Sequence, residues 1–290
     1  MRNTHERGKD TKSVSGRCLK GDAAEFELRT ADGGFEMRRV VFNQKGGVGK
    51  STITCNLAAI AAHRGQRTLV IDLDRQANSS RYLLGAQADE EFAGAAEFFD
   101  ATLKFSVRGA DTADFIVETP WENLHLMGAS AALDELHGKL ESRHKIYKLR
   151  DALLELASDY DSIWIDTPPA LNFYTQSALI AAQGCLIPFD CDDFSRRALY
   201  GLLESVKEIQ ADHNAELVVE GIVVNQFQPR ATLPQRTVQE LIDEGLPVLV
   251  PYLGASVKIK ESHELSMPMI HLDPRHKLTQ AFESLYDSLG

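Results

Sequence analysis

The sequence predicts an α/β fold in which a mostly parallel, twisted sheet carries helices on both faces. Two observations indicate this class. Short apolar runs alternate with amphipathic stretches from Met37 onwards, and several runs are apolar at nearly every position, as in strands buried on both faces. No repeat, low-complexity tract or linker divides the chain after that point. We therefore predict a single domain over residues 37–290.

The same pattern predicts the individual elements in order. A strand is expected where a short apolar run is bounded by turn residues, and a helix where apolar positions recur at helical spacing. Residues 90–118 are the least regular, and we interpret them as a helical insertion on the sheet. The predicted strands are Arg39–Phe42, Thr68–Ile71, Ser162–Ile165, Cys185–Phe189, Val218–Val224 and Pro247–Val250, and the predicted helices include Ser51–His63, Ala198–Ile209 and Val238–Ile242.

Composition and charge exclude several classes of protein. Residues 1–36 mix charged residues with Gly, Ser and Thr without apolar periodicity, which predicts a flexible N-terminal extension. No apolar run suits a signal core or a membrane span, so we expect a cytoplasmic protein. The four cysteines have no zinc-ligand spacing and are expected to be reduced thiols. A net charge of −11 excludes a globally basic nucleic-acid binder but allows a local basic patch.

The strongest functional signal is a glycine-rich loop between the first predicted strand and the first predicted helix. Glycines let backbone N–H groups approach phosphate oxygens closely, and a helix N-terminus adds its positive end to the same anion. We expect Lys50 to reach the β and γ phosphates and the Ser51 hydroxyl to bind Mg²⁺. The loop consists of Lys45, Gly46, Gly47, Val48, Gly49, Lys50, Ser51 and Thr52.

Aspartates follow two further predicted strands. Asp72 and Asp74 come after the second strand, and Asp166 comes after the strand that begins at Ser162. Because ligands of a parallel sheet bind at the carboxyl ends of its strands, we expect these side chains and the glycine-rich loop to meet at one nucleotide. Carboxylates are suitable Mg²⁺ ligands, often through a bound water. A turn or helix cap is the alternative interpretation for a strand-end aspartate.

Lys45 lies outside the general phosphate-loop pattern, and a leading lysine marks the deviant Walker A group. In this feature the chain resembles the ParA/MinD family of P-loop ATPases, which have a SIMIBI-like fold, and the resemblance extends from about residue 38 to 282. It implies ATP and Mg²⁺ as ligands and a homodimer in the ATP state, with Lys45 reaching into the partner's site. It also implies that Lys50 assists catalysis, Asp74 positions the attacking water, and Asp72 and Asp166 support the metal. Arg75 stands where the family usually has proline, so the loop's stiffness is expected to differ.

The resemblance also suggests where the base binds. Asn225 ends the strand that leads to the adenine pocket in this family, and Pro251 is expected to line the base. Tyr252-Leu253-Gly254 stands where Arg-Asn-Val is common in the family. An ordinary strand-end turn is the alternative interpretation for both residues.

ParA-type members bind nonspecific DNA as ATP dimers, which requires Lys or Arg on one face because phosphate contacts dominate such binding. Lys207 and Arg230 fall where chromosomal members carry basic residues, although each is also typical of a solvated surface. The resemblance implies a ParB-like partner that stimulates hydrolysis. The expected function is a nucleoid-associated switch ATPase that segregates or positions DNA or protein cargo.

Two other functions are possible on this fold. A MinD-like ATPase would place a C-terminal amphipathic helix on a membrane. Here the apolar stripe from Leu278 to Leu289 lies beside Glu283 and Asp287, which anionic lipid would repel, so we predict a helix docked on the domain and no membrane partner. An ATP-dependent metabolic ligase, of the dethiobiotin-synthetase type, is the second alternative. The leading Lys45 favours the switch ATPase over that ligase.

Overall fold

The computed structural model describes residues 37–104, 110–191 and 195–290, so the predicted extension at residues 1–36 lies outside the described residues. Seven strands form one sheet. All neighbouring strands are parallel except for a short antiparallel pair at one edge. The strands are β1 Met37–Val41, β2 Thr68–Asp72, β3 Val117–Glu118, β4 Leu124–Met127, β5 Ser162–Asp166, β6 Gly184–Asp190 and β7 Val218–Asn225.

The strand order across the sheet is β3-β4-β2-β5-β1-β6-β7. The central strand β1 therefore lies between β5 and β6, and β2 lies on the far side of β5. In the pairing of β2 with β5, Asp72 is the partner of Asp166, which places the two carboxylates side by side at the carboxyl ends of the strands. The loop that follows β1 lies at the same carboxyl ends of the strands, so the topology brings together the three predicted strand ends.

Helices cover both faces of the sheet, as the sequence predicts. Successive residues of a strand point to opposite faces. Val40 accordingly belongs to one buried core and Val41 to another, and Ile163 and Trp164 divide in the same way. The helices are α1 Lys50–His63, α2 Asn78–Leu84, α3 Ala95–Leu103, α4 Leu133–Ser142, α5 Lys148–Glu155, α6 Phe173–Ala181, α7 Ser195–Asp212, α8 Thr232–Asp243, α9 Val257–Glu264, α10 Met269–Leu272 and α11 Lys277–Asp287.

One predicted strand is wrong. Pro247–Val250 joins β7 only through an isolated parallel bridge between Val248 and Ile222. Proline lacks the N–H that a strand donates, Pro251 follows directly, and the Val250 side chain is 62% exposed, so the run does not extend the sheet. The segment 90–118, predicted as a helical insertion, contains α3 and a short 3₁₀ turn at Thr112–Phe115, but it ends in the edge strand β3, which pairs with β4. Residues 105–109 lie outside the described residues.

The C-terminal helix docks on the domain as predicted. Leu278, Phe282 and Leu285 are buried, and they belong to the core that α1 also lines. The apolar stripe of α11 is therefore covered by the protein's own core. Over the described parts of the chain, no helix combines the length and the apolar character that a membrane span requires.

Candidate functional site

The loop between β1 and α1 has the backbone shape that its glycines predict. Gly47 and Gly49 have φ values of 76° and 93°, in the left-handed region that favours glycine. A Cβ atom on Gly49 would lie 2.3 Å from Nδ2 of Asn225, so a larger residue would collide there. Asn43 fixes the start of the loop, since its side chain accepts from Lys45 N at 2.8 Å and donates to Pro188 O at 2.7 Å.

The Lys50 side chain folds back into the loop. Its Nζ donates to the Lys45 carbonyl at 3.1 Å, and the residue is only 6% exposed. Burial lowers the pKa of Lys50, while the nearby carboxylates of Asp166 and Asp74 favour its charged form. The buried ammonium group therefore lies within the field of two carboxylates, at the point where the sequence predicts phosphate oxygens.

Asp166 ends β5 and is fully buried. Its Oδ2 accepts from Ser79 Oγ at 2.7 Å, whereas its Oδ1 has no hydrogen-bond partner among the described residues. Burial raises the pKa of Asp166, and the Ser51 side chain and the Lys50 charge oppose that rise. A buried carboxylate oxygen without a partner beside the Ser51 hydroxyl is a donor set that fits hydrated Mg²⁺.

Both carboxylate oxygens of Asp72 accept hydrogen bonds from residues that follow it closely in the chain. Its Oδ1 accepts from Asp74 N at 3.0 Å, and its Oδ2 accepts from Ser80 N at 2.9 Å and from Ser80 Oγ at 2.8 Å. Burial and the neighbouring Asp166 raise the pKa of Asp72. These contacts are those of the strand-end turn that the sequence allows as the alternative to a metal role. They fix the path of the chain between β2 and α2.

Asp74 faces the first of two cavities at the carboxyl ends of the strands. Its Oδ1 accepts from Gln76 N at 3.0 Å, and the residue is 7% exposed. The adjacent Arg75 turns away and forms an ion pair with Asp134 on α4. Arg75 therefore connects the loop after β2 to α4. The ParA/MinD family, which the sequence resembles, usually has proline at this position.

The two cavities adjoin along the glycine-rich loop. The first has a volume of 510 Å³ and contains the loop residues from Gly46 to Thr52 apart from Val48, whose side chain is buried. The second, of 530 Å³, is lined by Asn225, Gln226, residues 254–260 of the chain except Lys258, and side chains of α9 and α11. Pro251 lines neither cavity, because the chain reaches the second one only from Gly254 onwards.

Asn225 contacts both the loop and the second cavity. Its Nδ2 donates to the Val48 carbonyl at 2.9 Å, and Gln226 Nε2 donates to the Gly47 carbonyl at 3.2 Å. The end of β7 thus holds the phosphate loop in place and forms part of the wall of the more apolar cavity.

Lys45 forms an ion pair within its own chain. Its Nζ lies 2.7 Å from Oδ2 of Asp190, at the end of β6, and its side chain is 41% exposed. The predicted contact of Lys45 with the nucleotide site of a second subunit requires a dimer and stays a prediction. Lys207 on α7 and Arg230 after β7 are both exposed, and within the described ranges neither forms an ion pair.

Sequence reasoning missed three residues at this site. Ser79 and Ser80 hold the two buried aspartates, and His263 of α9 lines both cavities. A pair of serines after an aspartate has no diagnostic spacing. His263 lies 211 positions from its hydrogen-bond partner Thr52, so no local pattern reveals the contact.

Comparison with known proteins gives a family and several relatives that span most of the chain. The family described as "AAA domain" matches residues 38–219. The sporulation initiation inhibitor protein Soj of Bacillus subtilis is 30% identical over 250 residues, covering 84% of this chain and 94% of Soj. Cobyrinic acid a,c-diamide synthase of Mycobacterium smegmatis, solved with an ATP analog and magnesium, is 26% identical with a TM-score of 0.74, covering 87% of this chain and 93% of that one.

The fold has a further solved counterpart. McdA of Cyanothece, solved as the ATP complex of a variant with one substitution, superimposes with a TM-score of 0.76 at 21% identity, covering 89% of this chain and 98% of McdA. These matches confirm the α/β fold class and the resemblance stated from the sequence, and ATP hydrolysis is the activity of the group. The chain belongs to the AAA-domain family and, within it, to the Soj/ParA group of the ParA/MinD P-loop ATPases.

Proposed function

We propose that this protein is an ATP-dependent dimerising switch that binds nonspecific DNA in its ATP state and positions or segregates DNA or protein cargo. The observation that carries the proposal is the convergence of Lys50, Asp74 and Asp166 at the phosphate loop, with Lys45 at the loop's exposed side. That arrangement supports a nucleotide-binding site with a partly exposed lysine beside it.

The site residues divide the chemistry among them. Lys50 and the loop N–H groups would neutralise the triphosphate, and Ser51 and Asp166 would hold Mg²⁺, which supplies further charge neutralisation when bound. Asp74 would orient the attacking water from the wall of the first cavity. In such sites positioning and electrostatic stabilisation account for most of the acceleration.

Dimerisation would complete the site. Lys45 would exchange its ion pair with Asp190 for the triphosphate bound in the partner. Because an ion pair that is partly exposed contributes little, on the order of 1 kcal/mol, a triphosphate with several negative charges is a stronger competitor for the ammonium group. ATP would thereby favour the dimer more than ADP does.

DNA binding would follow from the doubling of a basic surface. Lys207 and Arg230 are exposed and would contact phosphates from each subunit, which would offset the acidic net charge locally. A ParB-like partner would accelerate hydrolysis and release the dimer from the nucleoid. The names of Soj and of the chromosome partitioning protein ParA of Myxococcus xanthus, which is 31% identical over 250 residues, support this assignment.

The direct test is the mass of the protein in solution, measured by light scattering without nucleotide, with ADP and with ATP, and then with duplex DNA. We expect a dimer with ATP, a monomer otherwise, and DNA binding by the ATP form alone. Lys45→Ala should remain monomeric with ATP, whereas Lys139→Ala, which alters an exposed lysine on α4, should behave as wild type. A wild-type mass that ATP leaves unchanged would contradict the switch.

A metabolic ligase is the second candidate, because the amide-forming synthase of Mycobacterium smegmatis resembles this chain over most of its length. A ligase would turn over ATP in proportion to a small acceptor molecule and independently of DNA. ATP turnover that rises with DNA and a partner protein favours the switch instead.

A further inference from the structure

The two cavities meet at one side chain of α9. The residues that line both of them are Gly47, Gly49, Thr52 and His263, of which only His263 lies outside the phosphate loop and its helix. A nucleotide with its phosphates in the first cavity and its base in the second must cross this boundary. In that pose its α-phosphate and ribose would lie beside the His263 ring.

Two contacts fix the His263 ring at this boundary. Its Nε2 lies 2.9 Å from Thr52 Oγ1, and its ring stacks on Tyr82 of α2 with centroids 4.5 Å apart and planes inclined by 15°. Tyr82 is itself held, because its hydroxyl accepts from Asn56 Nδ2 at 3.2 Å and hydrogen-bonds with Ser262. The imidazole thus has a defined position before any ligand binds.

The pair formed by Thr52 and His263 retains a proton to donate. Burial lowers the pKa of His263, so the imidazole is neutral at pH 7 and carries one N–H. The Thr52 hydroxyl carries one O–H, and the hydrogen bond between the two residues uses one of these two protons. The remaining donor is Nδ1–H if Thr52 donates, or the Thr52 hydroxyl if Nε2 donates. Either tautomer leaves one donor within this pair of residues.

We infer that His263 is a positioning residue for the nucleotide, which acts with Thr52 to donate a hydrogen bond to an oxygen at the junction of ribose and α-phosphate. The inference rests on ATP binding at the phosphate loop and is independent of dimerisation and DNA. It assigns α9, more than 200 residues from the loop in sequence, a part in ATP affinity.

Two substitutions separate the hydrogen bond from the stacking. His263→Phe keeps a ring against Tyr82 and removes both nitrogens, whereas His263→Gln removes the ring and keeps a donor and an acceptor. We expect His263→Phe to weaken ATP binding about 5- to 15-fold, the effect of losing one net hydrogen bond, and His263→Gln to recover most of that affinity. The turnover rate at saturating ATP should change less than twofold, since Lys50 and Asp74 are intact.

The binding measurement is titration calorimetry with ATP and, separately, with inorganic tripolyphosphate. A loss for both ligands assigns the contact to the α-phosphate position, and a loss for ATP alone assigns it to the ribose. His213→Phe is the matched control, because His213 pairs with Tyr147 and lines neither cavity. It should bind both ligands as wild type does.

Thr52→Val gives an independent test that leaves α9 unchanged. If the two residues act together, their effects should not add. The double variant Thr52→Val with His263→Phe should then have an affinity for ATP within about twofold of that of the single variant that binds ATP less tightly. Wild-type affinity in His263→Phe, or full additivity in the double variant, would overturn the inference while leaving the proposed ATP switch intact. Failure of the wild-type protein to bind ATP would instead overturn the proposed function.

Discussion

At the residue scale, the site is built around carboxylates that the fold buries close together. Pairing of β2 with β5 sets Asp72 beside Asp166, both fully buried. Three hydrogen bonds satisfy Asp72, but Asp166 retains an oxygen without a partner among the described residues. A buried carboxylate oxygen without a partner costs stability in the absence of a cation, and this cost supports Asp166 as a proposed Mg²⁺ ligand.

Replacing Asp166 by Asn should therefore stabilise the nucleotide-free protein. Burial raises the pKa of Asp166 in the folded state above that in the unfolded chain. Folding stability is then lost as pH rises above the ordinary Asp range near 4, because the folded state binds the proton more tightly. We expect Asp166→Asn to unfold at a temperature several degrees higher than wild type at about pH 8, with a smaller difference at about pH 5.

Thermal unfolding without Mg²⁺ measures this difference. The control is Asp212→Asn, at the exposed end of α7, which should follow wild type at both pH values. Added Mg²⁺ and ATP should stabilise wild type and not Asp166→Asn. A pH-independent difference between the two proteins would contradict the role of the buried charge.

Asp74 allows binding and turnover to be separated. Its side chain lines the first cavity and hydrogen-bonds only within its own turn, through Gln76 N, in the contacts described here. We expect Asp74→Ala to bind ATP within a fewfold of wild type and to lose about 10²-fold or more in turnover, the usual effect of removing a group that positions the attacking water. Lys50→Ala, in contrast, should lose nucleotide binding. Calorimetry and phosphate release distinguish the two, and normal turnover in Asp74→Ala would show that another group orients the water.

The residues of the phosphate loop could be predicted from sequence because their spacing itself encodes the backbone shape. Gly47 and Gly49 adopt positive φ, and Lys50 begins the helix that follows. The ion pair of Lys45 with Asp190 joins positions 145 apart, and nothing in either local sequence indicates it. The same holds for Ser79 and its contact with Asp166.

At the element scale, the buried central strands were predictable and the edge of the sheet formed by β3 and β4 was not. The central strands β1, β2 and β5 are buried along almost their whole length, so each contains an uninterrupted apolar run, at Val40–Val41, Leu69–Ile71 and Ile163–Ile165. The edge strand β3 has only two residues, Val117 and Glu118, and β4 carries His125 between leucines. Runs that are so short or interrupted do not show a recognisable strand pattern in the sequence.

The docked α11 gives a test at this scale. Leu285 is fully buried in the core shared with α1, so Leu285→Ala should lower the free energy of unfolding by about 2–5 kcal/mol. Leu265→Ala, at a leucine that is 55% exposed after α9, is the matched control and should cost less than about 0.5 kcal/mol. Urea unfolding measures both. Equal stability of the two variants would mean that α11 does not belong to the core in solution.

At the scale of the whole molecule, ion pairing indicates which basic residues remain available for the proposed contacts with DNA. The charge of Arg236 is compensated by Glu240, that of Lys258 by Glu261, and that of Arg196 by Glu240 and Glu244. Lys260 lines the second cavity. Lys207 and Arg230 are exposed and form no ion pair with any described residue, so they are the stronger candidates for phosphate contacts.

Reversing both charges should weaken DNA binding and its dependence on salt while sparing ATP turnover. A dimer presents four such side chains, and each phosphate contact contributes about 0.9 to the slope of log affinity against log salt, so Lys207→Glu with Arg230→Glu should lower that slope by about 3–4. The double variant Lys139→Glu with Lys148→Glu, on α4 and α5, changes net charge equally and controls for long-range repulsion. If both double variants lose the same affinity in ATP-dependent binding to duplex DNA, overall charge explains the loss and no specific face does. If only the first double variant loses affinity for DNA, and its difference from wild type disappears at high salt, where wild-type binding also fails, the contact lies on the surface formed by α7 and the loop after β7.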